Sequence, residues 1–335
     1  MIKAGIYGAS GYTGVELVRL LHAHPRVELT FITGDRHAGA TLDTLYSTAP
    51  ALPLRAADEV DPASVDVVFL ALPHAASATV AAAALQAGAT VLDLSADFRL
   101  RAVAEYEQWY HTQHPAPALL AEAVYGLTEL ARADLPAARL VACPGCYPTS
   151  VLLALWPLAT HGGLTPGATV IADSKSGASG AGRGLKQHLH FVELSDNFFP
   201  YSIGQAHRHQ PEIAQQIGRW VEGINVIFSP HLLPVPRGIV STVYAPLPPG
   251  WDDAHLRAVY SAHYADEPFV TVLPAGQLPS LAHVVRTNRC VIGLTVAGGM
   301  AIITSALDNL IKGAGGQAVQ NLNVIQGWPE TTGLT

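Results

Sequence analysis

A chain of 335 residues that is 49% hydrophobic and only 13% charged is too long for one ordinary core and too apolar for disorder. Its formal net charge of −7 and lack of any basic tract exclude a nucleic-acid footprint, and its three cysteines are too few for a secreted disulfide framework. Met1 runs straight into an apolar strand without a signal-peptide pattern, and no apolar run reaches the length of a membrane span. The expectation is a cytoplasmic α/β enzyme of two domains that meets neither membrane nor nucleic acid.

The first element predicted is a strand over Ile2–Tyr7, followed by Gly8-Ala9-Ser10-Gly11-Tyr12-Thr13-Gly14 and then by Val15, Leu17, Val18, Leu20 and Leu21 at helical spacing. Strand, glycine turn and helix is the context of a dinucleotide site. Glycines admit the pyrophosphate to the backbone and the helix N-terminus binds it. Here the spacing is G-x-x-G-x-x-G. The second strand, Val27–Ile32, ends at Gly34-Asp35-Arg36, where the ribose is read. Asp35 would accept a 2′-hydroxyl of NAD, and Arg36 would hold the 2′-phosphate of NADP. NADP through Arg36 is the favoured reading, with Asp35 as its competitor and solvated loop charges as the bland alternative.

Val65–Leu72 reads as a buried strand ended by Pro73-His74, Ala75–Ala87 as an alanine-rich helix, and Thr90–Leu94 as a further strand before Ser95-Ala96-Asp97-Phe98-Arg99. Alternation of strand and helix predicts a Rossmann-type, doubly wound parallel sheet. His74 lies where such folds place ligands, as a cofactor contact or a structural histidine. Arg99 is a candidate for an anionic substrate group.

Val141-Ala142-Cys143-Pro144-Gly145-Cys146-Tyr147-Pro148-Thr149-Ser150 predicts strand, tight turn, cysteine, then a helix opened by Pro148 or capped by Thr149 or Ser150. A thiol beside a helix N-terminus is biased toward thiolate and becomes a nucleophile. Competing readings are a small core cysteine, and a Cys143-x-x-Cys146 redox or half-zinc pair that His207-x-His209 could complete.

The second half predicts an α+β domain with a mixed or antiparallel sheet. Ala168–Ser174 is a strand, and Lys175-Ser176-Gly177 begins a mobile glycine-rich loop with cations that could cover a nicotinamide or bind phosphate. His207-Arg208-His209 precedes a helix started by Pro211-Glu212-Ile213; if the segment is extended, the two histidines share a side that Arg208 does not. Either histidine could exchange a proton with a thiol or an alkoxide. Arg237 sits in a stiff proline-flanked segment suited to a carboxylate or phosphate. Cys290–Ala297 and Met300–Ser305 around Gly298-Gly299 predict a hairpin, and Asp308–Leu322 a helix carrying three glycines that imply close packing against backbone or cofactor. Asn309 could bond a nicotinamide amide.

A nicotinamide site, an activated cysteine and a histidine together suggest oxidoreduction of an aldehyde and an acyl group through a thioester. In order along nearly the whole chain, the glycine turn, Ala71-Leu72-Pro73-His74, Leu94-Ser95-Ala96-Asp97-Phe98-Arg99, Val124-Tyr125-Gly126-Leu127, Pro144-Gly145-Cys146-Tyr147-Pro148-Thr149, Asp173-Ser174-Lys175-Ser176-Gly177, His207-Arg208-His209, Pro236-Arg237-Gly238-Ile239 and Asp308-Asn309-Leu310 resemble the longer-chain N-acetyl-gamma-glutamyl-phosphate reductases of the semialdehyde dehydrogenase superfamily. The resemblance implies NADPH-dependent reduction of N-acetyl-L-glutamyl 5-phosphate to the semialdehyde in arginine biosynthesis. It also implies Cys146 as nucleophile, His207 or His209 as acid–base partner and no metal. Gly8, Ser10, Gly11, Tyr12, Thr13, Gly14, Arg36, His74, Ser176, Gly177 and Asn309 would lie around the cofactor, and Arg99, Lys175 and Arg237 around the small acyl-phosphate substrate. A dinucleotide domain over residues 1–146 completed by a C-terminal helix over 306–335, a catalytic and oligomerisation domain over 147–305, and a homotetramer or dimer complete the expectation. Aspartate-semialdehyde dehydrogenases share this architecture with a different cysteine motif, and in reductases of carrier-linked aminoadipyl phosphate Tyr147-Pro148 is usually changed. Cys143 stands where the family often has asparagine, and Gly34-Asp35 departs from the usual serine beside the arginine.

Overall fold

The computed structural model describes residues 1–334. The chain divides into two compact units, Met1–Gly145 together with the stretch from Ala314 onward, and Cys146–Gly313.

The first unit is built on seven parallel strands, β1 (Ile2–Tyr7), β2 (Val27–Thr33), β3 (Leu54–Arg55), β4 (Val67–Leu70), β5 (Thr90–Asp93), β6 (Val124–Tyr125) and β7 (Leu140–Ala142), in the order β3-β2-β1-β4-β5-β7-β6. Every residue of β4 is buried, as a parallel strand covered on both faces requires. The chain reverses its direction of winding between β1 and β4, so the ends of these neighbouring strands form a topological switch point.

Residues after Ala314 complete this unit. The helix Gly316–Ile325 buries a row of amides. Asn321 donates through Nδ2 to the Gly126 carbonyl (2.8 Å) and accepts at Oδ1 from Thr128 Oγ (2.6 Å), while Asn323 Oδ1 meets His24 Nε2 at 3.0 Å. An Asn321→Ala variant takes the side-chain donor from the Gly126 carbonyl and the acceptor from the Thr128 hydroxyl, which keeps only its bond from Gln317. It is expected to lower stability by about 2–4 kcal/mol, seen as a lower midpoint in chemical denaturation.

The second unit carries a mixed seven-stranded sheet of β8 (Thr169–Gly177), β9 (Phe199–Pro200), β10 (Asn225–Leu233), β11 (Ile239–Pro246), β12 (Val270–Val272), β13 (Cys290–Ala297) and β14 (Met300–Leu307), ordered β12-β13-β14-β11-β8-β10-β9. The predicted hairpin is β13–β14, paired antiparallel from Cys290↔Leu307 to Ala297↔Met300. The helix Cys146–Thr160 lies against β11 and β14. A row of serines lets it sit close. Ser150 Oγ meets Ser241 Oγ, Ser174 Oγ lies 2.7 Å from Ser241 Oγ, and Ser305 Oγ donates to the Ser150 carbonyl at 2.9 Å. Alternation along β8 sends Ser174 and Ser176 to this buried face and Ile171, Asp173 and Lys175 to the other.

Three sequence expectations change. β8 runs on through Lys175-Ser176-Gly177, so these residues are strand and not mobile loop. Paired on both sides by β10 and β11, they have their backbone groups satisfied by the ladder. His209, not the Pro-Glu-Ile step, begins the helix His209–Ile217, and Arg208 is already helical at φ −61°, ψ −16°. The stretch predicted as one helix over Asp308–Leu322 opens with a π-helical turn, Ile311–Gly315, before the α-helix.

Candidate active site

The glycine turn has the shape that a pyrophosphate needs. Gly8 has φ +84°, a conformation open to glycine, and a Cβ there would stand 2.5 Å from the Ala71 carbonyl oxygen. At Gly14 a Cβ would stand 2.7 Å from Ala9 Cα, so only glycine lets the helix Tyr12–His22 pack onto the turn. At Gly11, which caps that helix, an added Cβ meets only the Gly8 carbonyl oxygen at 3.6 Å, leaving room at the helix N-terminus. These features fit a bound dinucleotide. Ser10 sits in the turn, its carbonyl accepting from Tyr46 Oη (3.0 Å), and Tyr12 and Thr13 open the helix.

Beyond β2, Asp35 and Arg36 part ways. Asp35 Oδ1 accepts the Ala57 backbone N–H at 2.9 Å, a local tie to the next turn, whereas Arg36 is exposed and, among the described residues, makes no hydrogen bond or ion pair. His74 is exposed beyond β4, its ring 5.4 Å from that of Tyr110. The following residue, Ala75, has φ +67°, and Asp97 holds the bend by accepting the N–H of Ala75 (2.7 Å) and of Ala78 (2.9 Å).

Arg99 is buried and donates from Nε to the Cys143 carbonyl (2.8 Å) and from Nη2 to the Leu94 carbonyl (2.8 Å). It ties the ends of β5 and β7 together. Burial pushes the Cys143 thiol up to about 12, with the neighbouring Asp93 adding to the effect. A protonated, enclosed thiol is a packing group and not a ready nucleophile. Cys143 and Cys146 are both free thiols.

In the second unit, Cys146 is the first residue of the helix Cys146–Thr160 and is partly accessible. Thr149 and Ser150, predicted as caps, are instead wholly buried inside the first turns, with Pro148 beside them. Proline there is tolerated because the first N–H groups of a helix have no internal acceptor. Those same groups and the helix dipole favour an anion at such a position.

Around the next residue stand the histidines. The Tyr147 ring is edge-on to His207 (5.8 Å), His209 (5.9 Å) and Phe228 (5.1 Å), and the two histidine rings are 4.7 Å apart. Burial, with a smaller contribution from Arg208, lowers the His207 pKa to about 4. Its Nδ1 accepts the His209 backbone N–H at 3.1 Å, so the neutral ring carries its proton on Nε2. Tyr201 Oη donates to Tyr147 Oη (3.1 Å), which donates to the His231 carbonyl (3.1 Å). Both phenols are pushed up by burial, and Cys146 lies near enough to add to the shift of each. Sequence reasoning passed over Tyr201. Only its place after Phe198-Phe199-Pro200, shortly before His207, could have drawn notice.

The cations separate. Lys175 stands on the face of β8 opposite the helix of Cys146, paired with Asp173, which also meets His231 Nδ1 at 3.2 Å. Arg237 joins Asp308 through Nε (3.0 Å) and Nη2 (3.2 Å). Asn309 uses each end of its amide inside the unit. Oδ1 accepts the Gly238 N–H (2.6 Å), and Nδ2 donates to Ser179 Oγ (2.9 Å). Ser176 is buried and donates to the Gly177 carbonyl at 3.1 Å. The structure thus brings His207 and His209 to one aromatic cluster around Tyr147, the residue after Cys146, and leaves Lys175 on the opposite sheet face. Among the described residues, no three His, Cys, Asp or Glu side chains gather as metal ligands, and no helix is long and apolar enough to cross a membrane.

Comparison with known proteins agrees with this fold. Residues 3–138 match the model of the semialdehyde dehydrogenase NAD binding domain and residues 146–309 that of the semialdehyde dehydrogenase dimerisation domain. The chain is 49% identical over 340 residues to the N-acetyl-gamma-glutamyl-phosphate reductase of Pelotomaculum thermopropionicum, covering 99% of this chain and 97% of that one. It is 48% identical to the enzyme of the same name from Geobacter metallireducens, covering 100% and 98%. Its fold is shared with aspartate semialdehyde dehydrogenase II of Vibrio cholerae, at TM-score 0.76 and 16% identity over 98% of both chains. With NADP, the Candida albicans aspartate semialdehyde dehydrogenase structure gives TM-score 0.66 at 15% identity over 97% and 98%. A doubly wound nucleotide-binding unit, a mixed-sheet unit headed by a cysteine, and full-length identity near one half have one common explanation: the chain is an oxidoreductase of the semialdehyde dehydrogenase family and belongs to its N-acetyl-gamma-glutamyl-phosphate reductase branch.

Proposed function

We propose that the chain reduces N-acetyl-L-glutamyl 5-phosphate to N-acetyl-L-glutamate 5-semialdehyde and phosphate with NADPH, through a thioester on Cys146. The observation that carries this reading is the placement of Cys146 as first residue of a helix, followed by a tyrosine that both candidate histidines face. The names of the full-length relatives supply the substrate.

Histidine takes the thiol proton, and the Cys146 sulfur attacks the acyl carbon. Its C–S bond forms as the bond to phosphate breaks, and the leaving phosphate carries away the electron pair. A bound nicotinamide supplies the hydride that reduces the thioester. Collapse of the resulting thiohemiacetal alkoxide breaks the C–S bond, frees the aldehyde and returns the thiolate. His209 is the better proton carrier. His207 stays neutral above about 4, with one nitrogen committed to the His209 N–H and the other protonated.

Gly8, Ser10, Gly11, Tyr12, Thr13 and Gly14 would hold the cofactor's pyrophosphate, and His74 would flank it. Arg36 would hold the 2′-phosphate, because it is exposed and, among the described residues, unpaired while Asp35 is tied to Ala57. The Candida albicans relative, whose structure is described as with NADP, supports this choice. Arg36→Ala should raise KM for NADPH by about tenfold or more while leaving KM for NADH within about twofold, a charge-assisted phosphate contact being the part lost. Equal effects on both would hand the ribose to Asp35.

Among substrate-binding candidates, Arg237 keeps its place as an anion holder oriented by Asp308, and Arg99 acts by tying the Cys143 turn. Lys175 would contribute through its pairing with Asp173 on the other face. Ser176, Gly177 and Asn309 would shape the nicotinamide's surroundings from the second unit. The sheet face bearing the exposed Ile171 and Ile227 would build a homo-oligomer, in keeping with the dimerisation domain matched there.

The deciding assay runs the reaction backward. With N-acetyl-glutamate semialdehyde, phosphate and NADP, formation of reduced cofactor should depend on phosphate and fall with NAD. Turnover of aspartate semialdehyde in preference would overturn the substrate assignment.

A further inference from the structure

Three glycines in the stretch after Asp308 carry a helix-propensity cost of about 1 kcal/mol each. One of them has a specific reason to be there. Gly313 sits in the π-helical turn Ile311–Gly315, and a Cβ on it would stand 2.8 Å from Cys146 Cβ, 3.2 Å from Cys146 Cα and 3.2 Å from Leu307 Cδ1. Side-chain carbons in folded proteins do not approach to 2.8 Å, so any larger residue there must displace Cys146 or the turn.

The turn is poorly placed to yield. The Asp308 carbonyl accepts the Gly313 N–H at 2.9 Å, the i→i+5 bond of a π-turn. The Asp308 carboxylate, wholly buried, accepts the N–H of Leu310 (2.9 Å) and Ile311 (3.2 Å) at Oδ1 and of Arg286 (2.6 Å) at Oδ2, besides the two contacts of Arg237. Lys312, next to Gly313, is also wholly buried, with its Nζ 5.9 Å from the Phe269 ring centre. The first residue of a helix is where helices fray, yet the space between Gly313 and the Cα and Cβ of Cys146 is too narrow for even a methyl group.

We infer that Gly313 is a positioning residue for Cys146: the turn anchored by Asp308 is a rigid backbone wall that fixes the Cα–Cβ direction of the nucleophile and hence the line along which its sulfur meets the acyl carbon. Nucleophilic attack depends on alignment to within about 1 Å, and a wall of backbone holds that alignment better than a side chain with rotamers of its own.

This rests on Cys146 being the nucleophile, and the test separates the two. In Gly313→Ala, the rate of Cys146 alkylation by iodoacetamide, read by mass spectrometry across pH, should change by about fivefold or more. kcat should fall by about tenfold or more, with KM for NADPH unchanged. A lower melting temperature with unchanged alkylation and unchanged kcat would mean ordinary packing and overturn the proposal. The double variant Gly313→Ala/Cys146→Gly removes the nearest of the atoms that the new methyl meets, leaving the Cα of residue 146 and Leu307 Cδ1. It should fold and melt close to Cys146→Gly alone, and a deficit as large as that of Gly313→Ala, or failure to fold, also overturns the proposal. Activity retained in Cys146→Ser would sink the nucleophile while leaving the alkylation and melting results to stand.

Discussion

Cys146→Ser is expected to abolish turnover, by at least about a thousandfold in kcat, while NADPH binding, followed by nicotinamide fluorescence, stays within about twofold. Serine and cysteine differ by one atom. The half-buried position at the head of the helix accepts either, so the fold should persist. What changes is ionisation. A helix N-terminus can bring a thiol toward thiolate near neutral pH, but a hydroxyl starts several units further away. The ester that serine would form is also a poorer acceptor of hydride than a thioester. An activity loss accompanied by equal loss of NADPH binding would instead indicate a folding defect, and undiminished turnover would remove Cys146 from the mechanism.

The second large effect separates the histidines. His209→Gln should lower kcat by about 10²–10⁴, and His207→Gln by distinctly less. Both rings face Tyr147, but His207 is held neutral by its surroundings. His207 is enclosed, remains neutral down to about 4 and has Nδ1 occupied by the His209 N–H. A proton carrier needs an open lone pair at working pH. The pH profile of kcat/KM provides the check: its acidic limb should vanish in His209→Gln and survive in His207→Gln. The opposite result would assign proton transfer to His207.

Much of this site was legible because the patterns are local. Gly8, Gly11 and Gly14 lie within one turn, Cys146 directly follows Pro144-Gly145, and Gly298-Gly299 joins two alternating runs, so each is read without knowing the rest of the chain. The misreadings involve contacts that sequence distance conceals. Arg237 meets Asp308 across 71 positions and Arg99 meets the Cys143 carbonyl across 44. Each cation therefore read as open to a substrate anion, and neither of these partners showed in the neighbouring sequence. Lys175-Ser176-Gly177 looked like a loop by composition, yet small residues suit a strand that passes beneath Tyr147 and beside the Arg237 backbone. The π-turn was invisible because one extra residue per turn leaves the apolar spacing on either side of it nearly unchanged.

The split composition of the first unit sets an order of events during synthesis. Cys146–Gly313 is an unbroken stretch, so all its strands are available once residue 313 has left the ribosome. The first unit, begun earlier, still lacks the helix Gly316–Ile325, whose Asn321 and Asn323 satisfy Gly126, Thr128 and His24. The segment made first is therefore finished last, and until then its sheet carries an open seam at Gly126 and Thr128. A chain truncated after residue 313 should be cut by protease within the first 145 residues while the stretch from Cys146 onward resists.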